Sequence, residues 1–542
     1  MPRVIVLDNL SEDGLKLLHS SGDIDCDVRP GLKGAQLRDT LREYDGAICR
    51  SGVKITADVL EGNRRLKVIV RAGAGTDNID TAAAARMGIV VMNTPGGNTT
   101  STAEHTIAMM MALSRHVHPA YRSLIEGRWD RKRFMGAQLA GKTLGVIGLG
   151  RVGQSVAVRA ITLQMRVLGY DPFVPESRIK ELGIEPCRSI DEILPRVDYL
   201  TVHTPLNDQT RNLIGTDQIK RMKKGARVIN CARGGICDEA ALAEGLKSGH
   251  LGGVALDVFT TEPCTASPLF GLPGALCTPH LGASTEEAQT SVAVEAAELL
   301  IDFFTSGAIR QAVNVPPLDP RTLASLRPYL NLAYRLGLLM AQLERALPRR
   351  CLLRFEGDVA GRDCRLLSAA FAAGLLDHGA EGETSIVNAE ILLRDRGVEL
   401  VQETSPRIGD FRSLITAELD TDKGPRTASA TLFGRDIPRL VRMGEFRLET
   451  RLEGILLLTT HRDVPGVIGK IGLVCGRHQV NIAYLSVGRR IGQPGGEAMG
   501  VFALDSEPPA EALAETLQLE PIIRASVVRL PSADKLPPWL GR

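Results

Sequence analysis

At 542 residues the chain is too long for one core and divides into roughly three or four domains of about 150 residues each. A hydrophobic fraction of 44% and a charged fraction of 24% are ordinary globular values and exclude a disordered chain. Lysine plus arginine number 65 against 63 acids, so a net charge of +2 calls for neither nucleic acid nor an anionic membrane, and any charged substrate must be met by a few placed side chains.

The N-terminus, MPRVIVLDNL, runs directly into a strand with no apolar signal core behind it. No apolar run approaches the roughly 20 residues that span a bilayer. Ten cysteines are scattered singly, without C-x-x-C or a His cluster at zinc spacing. A cytoplasmic protein with reduced thiols and no metal is expected. Over residues 1–97 the β-rich runs VIVLD (4–8), GAICR (46–50), KVIVRAG (67–73) and IVVMNTP (89–95) alternate with helical stretches such as SEDGLKLLHSS and DTAAAARMG, the latter stopped by Gly88. Strands separated by helices need crossover connections, hence a parallel sheet covered on both faces.

From Thr99 to about Gly127 the pattern is helical, with a Met-rich centre that reads as buried packing. GKTLGVIGLGRVG then reads as a strand entering a glycine-rich turn. The β/α alternation continues through RVLGYD, YLTVHTP, ARVINCARGG and GGVALDVF to about His280. A second long helix is expected from Ser284, with Ser284 and Glu287 as a capping box and Gly307 at its C-cap. A first sheet domain (1–97 and 284–315) is thus interrupted by a second (98–283), with the two long helices as crossing points. VNVPPLDP (313–320) reads as a linker into 320–450, where helix and strand signals mix and no motif stands out. Residues 452–531 order as strand (ILLLTTH), helix, strand (NIAYLSVGRR), hairpin (QPGGE), strand, helix, strand, a ferredoxin-like βαββαβ unit. The expected class is α/β: two doubly wound parallel-sheet domains of Rossmann or flavodoxin type, an α+β intervening domain and the ferredoxin-like unit.

Gly148, Gly150 and Gly153 form a G-x-G-x-x-G, weak alone but here preceded by a strand (144–147) and followed by a helix (VAVRAITL). The first glycine allows the tight turn, the second admits a pyrophosphate to the backbone, and the third lets helix and strand pack closely. The phosphates then meet free N–H groups at the helix N-terminus. Asp171 ends the next strand about 20 residues on, where a carboxylate accepts ribose hydroxyls and repels a 2′-phosphate, which argues NAD over NADP. Oxidising a secondary alcohol further needs a base, a carboxylate to orient that base, and a cation for the substrate carboxylate. His280, Glu262 and Arg233 each follow a predicted strand, where α/β sites form. Each also has a bland reading: a core imidazole, a loop acid, a surface charge.

These phrases resemble the D-isomer-specific 2-hydroxyacid dehydrogenase family over residues 1–315. The resemblance implies that Arg233 binds the substrate carboxylate and carbonyl, His280 is the acid/base, and Glu262 holds and tunes the imidazole. It also implies that Arg151 and Val152 face the pyrophosphate and that Thr204 lines the cofactor. Cys231 and Ala232 would lie beside the nicotinamide ribose, Asp257 would reach the nicotinamide carboxamide, and His280 and Gly282 would border the cofactor. Arg50-Ser51-Gly52 and Arg71-Ala72-Gly73 resemble the loops that bind the acid, and two arginines at adjacent strand ends supply the cations a doubly charged phosphate needs. Ala74 departs from the family, which often has a larger side chain there.

HRDVPGVIGKIG and VNIAYLSVG resemble an ACT domain, a small-molecule sensor. That domain behind an intervening one resembles the long members of the family, which implies oxidation of 3-phosphoglycerate with NAD at the entry to L-serine synthesis, and L-serine as effector. His461, Asp463 and Asn481 are the expected effector contacts, with Asp463 accepting the ammonium and the helix entered at Pro465-Gly466 presenting N–H groups to the carboxylate. In the family such sites form across a pair of these domains. Two alternatives stay open: a glyoxylate or hydroxypyruvate reductase, and an NAD-sensing corepressor, which would lack an appended sensor. Trp129, Lys132 and Arg133 are either a solvated cluster or, as the family implies, a contact on a neighbouring subunit of a homo-oligomer.

Overall fold

The computed structural model describes residues 1–315, 320–344, 347–377, 384–422, 424–490, 496–532 and 536–537. Linker residues 316–319 and hairpin residues 491–495 lie outside the described residues. The first sheet has five parallel strands, Arg3–Val6, Asp25–Val28, Gly46–Cys49, Val68–Arg71 and Val90–Asn93, in the order 2-1-3-4-5. Its inner strands are buried on both faces, which is why they read as continuous apolar runs. Asp25–Val28 is absent from the sequence reading because DCDV is a short, half-polar strand on the open edge.

The second sheet has seven parallel strands, Thr143–Ile147, Arg166–Tyr170, Glu185–Pro186, Tyr199–Val202, Ala226–Asn230, Leu251–Leu256 and Ala275–Cys277, in the order 7-6-5-4-1-2-3. The order reverses between Thr143–Ile147 and Tyr199–Val202, and the crevice outside their carboxyl ends is where such sheets bind ligands. Two long helices join the sheets. In Thr99–Ser114 the side chains of Met109 and Met110 are buried as expected, whereas Met111 faces outward. The second helix, Glu286–Ser306, is capped one residue later than the S-x-x-E spacing suggests: Thr285, not Ser284, accepts from Ala288 N, and Gly307 closes the C-terminus at φ +70°. This helix lies so tightly on Glu12–Ser20 that a Cβ at Gly14 would stand 2.9 Å from the Ala293 backbone. The chain then returns to the first sheet, where the Asn314 side chain accepts from Val91 N (2.9 Å) and donates to Ile89 O (2.8 Å).

Beyond the linker, helices Pro320–Glu344 and Cys364–Asp377 cover a six-stranded mixed sheet. The second of these helices is buried nearly all round, so it lacks the one-sided apolar stripe that marks a surface helix. The two helices cross through glycines, because a Cβ at Gly337 would run into the Phe371 carbonyl and one at Gly374 into the Tyr334 carbonyl. The last unit is a four-stranded antiparallel sheet of Gly454–Arg462, Ile482–Arg489, Glu497–Leu504 and Ile522–Leu530, with spatial order 2-3-1-4 and two helices. Arg335, fully buried on the first intervening helix, donates from Nη1 to Leu452 O and Pro531 O (2.6 Å each), where the chain enters and leaves this sheet. No helix among the described residues is long and apolar enough to cross a membrane.

In an open helix Gly337→Ala would stabilise by about 1 kcal/mol. Here the added methyl meets a carbonyl, and overpacking of this kind costs about 1–3 kcal/mol. The expected outcome is a lower unfolding temperature by circular dichroism. A higher one would mean that the helices do not cross this closely.

Candidate active site

A cleft of about 1020 Å³ opens between the first two sheets. It brings together Arg50, Ser51, Gly52, Arg71 and Gly73 from the first, and Arg233, Glu262 and His280 from the second. His280 Nδ1 lies 2.7 Å from Glu262 Oε2, and the other carboxylate oxygen accepts from Phe259 N at 3.0 Å. Burial pushes the Glu262 carboxyl up, but its hydrogen bonds from His280 and Phe259 prevail and hold it below the usual range. An ionised Glu262 takes the hydrogen on Nδ1, which leaves the Nε2 lone pair free to accept a proton.

The loop that presents His280 is fastened by Asp257. His280 adopts φ +57°, a left-handed conformation unusual outside glycine. Its N–H donates to Asp257 O at 2.8 Å. The Asp257 side chain is fully buried: Oδ1 accepts from Thr278 Oγ1 (2.6 Å) and Leu281 N (2.7 Å) and lies 3.2 Å from His105 Nε2, while Oδ2 accepts from Gly282 N (2.8 Å). Burial raises this carboxyl, yet the bonds from His105, Thr278 and Leu281 hold it below the usual range. The resemblance gave Asp257 a nicotinamide contact. Within the protein its carboxylate holds residues 278–282. Gly282 is likewise buried, its carbonyl accepting from Ser101 and Thr102.

The same cleft is cationic. Arg233 bonds Asp77 (3.0 Å) and its own neighbour Ala232 O (2.6 Å), and its guanidinium covers Gly75, where any Cβ would collide with it. Arg71 folds over Gly73 in the same way, and its Nε is buried without a partner. Burial, together with the charges of Arg233 and Arg50, pushes the Arg71 guanidinium down from its usual range. Arg50 bonds Asn9 O at 2.9 Å, Gly52 N donates to Asp8, and Lys54 joins the lining. Three guanidinium groups thus share one cleft wall, with Asp77 as their acidic neighbour.

A dinucleotide fits the crevice beside this wall. Gly148 turns at φ +88°, a Cβ at Gly153 would strike the Gly148 carbonyl, and space is open where a Gly150 side chain would project. Helix Arg151–Thr162 starts at Gly150 with no side chain capping its N–H groups. Asp171 is held by Leu149 N and Phe173 N at 2.8 Å each, so its carboxylate faces the glycine turn. Thr204 Oγ1, Asn98 Oδ1 and Thr99 Oγ1 are buried without partners, as sockets for a polar ligand would be. Arg151 is exposed at the turn, and Val152 packs into the core beneath it. Ala232 N is tied to Asn230 Oδ1. Cys231 is buried, and burial pushes its thiol up to about 12.

Residues 107–282 match the family model of the D-isomer specific 2-hydroxyacid dehydrogenase NAD binding domain. Residues 325–444 match the D-3-phosphoglycerate dehydrogenase intervening domain, and 455–521 the ACT domain. D-3-phosphoglycerate dehydrogenase from a Synechocystis species is 39% identical over 98% of this chain and 95% of that protein. The Bacillus subtilis enzyme of that name is 36% identical over 98% of this chain and all of its own length (100%). The chain belongs to the D-3-phosphoglycerate dehydrogenase family. It is an NAD-dependent 2-hydroxyacid dehydrogenase. Among solved structures it resembles a glyoxylate reductase from Paecilomyes thermophila (TM-score 0.54, 26% identical, 58% of this chain and 98% of that one). It also resembles an NAD-dependent formate dehydrogenase from Staphylococcus aureus in complex with NAD (TM-score 0.53, 29% identical, 59% of this chain and 100% of that one). Both likenesses span little more than half the chain, so they concern the fold of about that share of it.

Within the family's C-terminal sheet the expected effector residues do not meet. Asp463 follows the end of Gly454–Arg462 and pairs with Arg489 at 2.8 Å. Asn481 lies at the opposite end, bonded to Asp505 at 2.6 Å, since Ile482 is in register with Leu504 and Ile455. About nine residues of strand separate them, roughly 30 Å at 3.3 Å per residue. His461 is beside Asp463, buried, with Nε2 unpartnered. Asp77, His105, Thr278 and Lys54 were missed by the sequence reading. A positional signal existed for Asp77, which follows the strand end that carries Arg71. His105 sits inside an apolar helix, and nothing local marks it.

Asp257→Asn would set an amide N–H against one of the backbone donors of the 281–282 loop. Because the folded carboxyl lies below its unfolded value of about 3.9, its stabilisation is fully present above that pH and is lost as pH falls through the folded value. Wild type should therefore melt several degrees above the variant near neutrality, with the gap closing under acid, and turnover should fall as the His280 loop loosens. A pH-independent gap in melting temperature would contradict the assignment.

Proposed function

We propose that this chain oxidises D-3-phosphoglycerate to 3-phosphohydroxypyruvate with NAD, the entry step of the phosphorylated route to L-serine. The observation that carries the reading is the convergence of Arg50, Arg71 and Arg233 on the cleft that also holds the His280–Glu262 pair. A phosphorylated hydroxy acid brings about three negative charges where a simple one brings a single charge. Arg50 and Arg71, with Ser51, Gly52 and Gly73 leaving room at the strand ends, take the phosphate, and Arg233 takes the carboxylate and the C2 oxygen. His280 Nε2 removes the C2 hydroxyl proton, and the anionic Glu262 holds the ring and stabilises the imidazolium. NAD, when bound, would supply the acceptor for the hydride from C2. Gly148, Gly150, Arg151, Val152 and Gly153 would cradle its pyrophosphate, Asp171 its adenosine ribose, and Thr204, Ala232 and Gly282 its nicotinamide side.

L-serine is the effector, and its site needs two chains: His461 and Asp463 from one, Asn481 from the other. The roughly 30 Å separation within one sheet supports that reading. So does the apolar surface of Tyr121, Ile125, Trp129 and Met135, the last two 79% and 81% exposed, which suits a homo-oligomeric contact flanked by Lys132 and Arg133. Ten free thiols fit a cytoplasmic location.

His280→Ala should lower kcat by about 10²–10⁴ in a steady-state assay with NAD and 3-phosphoglycerate. Wild type should strongly prefer phosphoglycerate over glycerate, and Arg71→Ala should erase most of that preference. Equal turnover of the two acids would favour a reductase of unphosphorylated acids instead. Separately, L-serine should inhibit wild type, and Asn481→Ala should remove the inhibition while leaving the uninhibited rate unchanged. If serine alters neither rate nor melting temperature, the effector assignment falls and the catalytic one stands.

A further inference from the structure

A second cavity, of about 540 Å³, lies in the intervening unit between helices Cys364–Asp377 and Ala389–Asp395 and the edge strand Glu399–Ser405. That volume suits a small ligand. Arg365, Ser368, Glu390, Arg394 and Gln402 line it. Glu390 and Arg394 stand one helical turn apart, a spacing at which acid and base ordinarily pair on a helix surface. Among the described residues neither makes an ion pair, although the charges of Arg394 and Arg365 both act on Glu390. Arg365 has only a loose contact with Asp363, at 3.8 Å. Ser368 and Gln402 are linked at 3.3 Å and give the cavity a polar wall. Glu399 also lines the cavity, but its charge is already met by Arg350 at 3.4 Å.

We propose that this cavity binds a free α-amino acid, its ammonium on Glu390 and its carboxylate on Arg394 and Arg365. An unpaired acid and an unpaired guanidinium sharing a small cavity match the two charges of a zwitterion, and a simple anion would leave Glu390 facing it. Burial holds the Glu390 carboxyl above its usual range against the pull of Arg394 and Arg365, so an adjacent cation offsets that desolvation. The site bears on the catalytic cleft through one short helix. Asn388 donates to Arg86 O at 3.3 Å and Asp395 pairs with Arg86 at 3.3 Å, so the helix carrying Glu390 and Arg394 is fastened at both ends to helix Thr81–Arg86. That helix follows directly on Asp77 and Asn78 of the cleft. The coupling to turnover rests on the reaction proposed above; the binding does not.

Isothermal titration calorimetry of the full chain with glycine, L-alanine and L-serine tests the site, with propionate and ethylamine as probes of one charge each. The expected result is saturable binding of at least one amino acid and of neither single-charge probe. It should persist in an H461A/N481A variant and weaken at least tenfold in Glu390→Gln or Arg394→Gln, both of which should turn over substrate at the wild-type rate without amino acid. Absence of binding at millimolar concentration would overturn the proposal. So would propionate binding as well as the amino acids, or a change of less than tenfold in both variants. Calorimetry reads binding whether or not phosphoglycerate is the substrate, so failure of the site and failure of the proposed reaction remain distinguishable.

Discussion

The buried carboxylate of Asp257 is the constraint on which the rest of the active cleft depends. Two backbone N–H groups, a threonine hydroxyl and an imidazole converge on it out of contact with bulk solvent, in surroundings where an unpaired polar group costs about 1–3 kcal/mol. Satisfying that carboxylate obliges residues 278–282 to wrap around it, and the wrap forces His280 into a left-handed backbone conformation. Strain of this kind persists only where the surroundings over-determine it. Here the determinants come from both connections of the second sheet: His105 on one crossing helix and Gly282 at the foot of the other. The imidazole is therefore positioned by the junction between the two sheet units as much as by its own loop.

The cationic wall has the opposite logic. Arg71 and Arg233 lie over Gly73 and Gly75, where side chains of any size would exclude them, and Arg71 is held against burial and like charge with one nitrogen unpaired. Such an arrangement is costly in the free protein, and an anion relieves it. Asp77 compensates Arg233 meanwhile. The glycines between the strand end and Asp77 thus serve packing and electrostatics at once: they let the guanidinium groups approach the backbone and leave the opposite side of each open to the cleft.

How much of this was legible in the sequence depended on how local the cause was. The glycine turn at 148–153, Asp171, and the strand-end positions of Arg50, Arg71, Arg233, Glu262 and His280 each carry a signal within a few residues, because a parallel strand and its following turn are local events. The edge strand Asp25–Val28 escaped because its partner, not its composition, makes it a strand. The intervening unit gave no motif since its central helix is apolar on every face and its crossing rests on two glycines that look like any others. Thr285 displaced Ser284 as the cap because two adjacent hydroxyl residues offer the same chemistry and only the backbone angle chooses. Asp257 was noticed for its motif and not for its bonds within the protein: its burial is a property of three segments meeting, which no window of sequence contains.

The same distinction bears on how the C-terminal sheet communicates with the rest. Arg335 is a charge buried among apolar neighbours, and burial pushes its guanidinium down from its usual range. Three bonds compensate it, to Asn331 on its own helix and to the carbonyls of Leu452 and Pro531. Those two carbonyls bracket the sheet at its entry and exit, so the sheet cannot shift on the helix without breaking a charge-assisted bond in a dry environment. Strand Phe446–Arg451 adds a second attachment along the outer edge of Ile482–Arg489, where Gly488 lets the Arg447 carbonyl come close. A sheet held both at its ends and along one edge moves as a body with the intervening unit. A ligand-driven displacement of it would therefore act first on helix Pro320–Glu344, which carries Arg335, and on strand Phe446–Arg451.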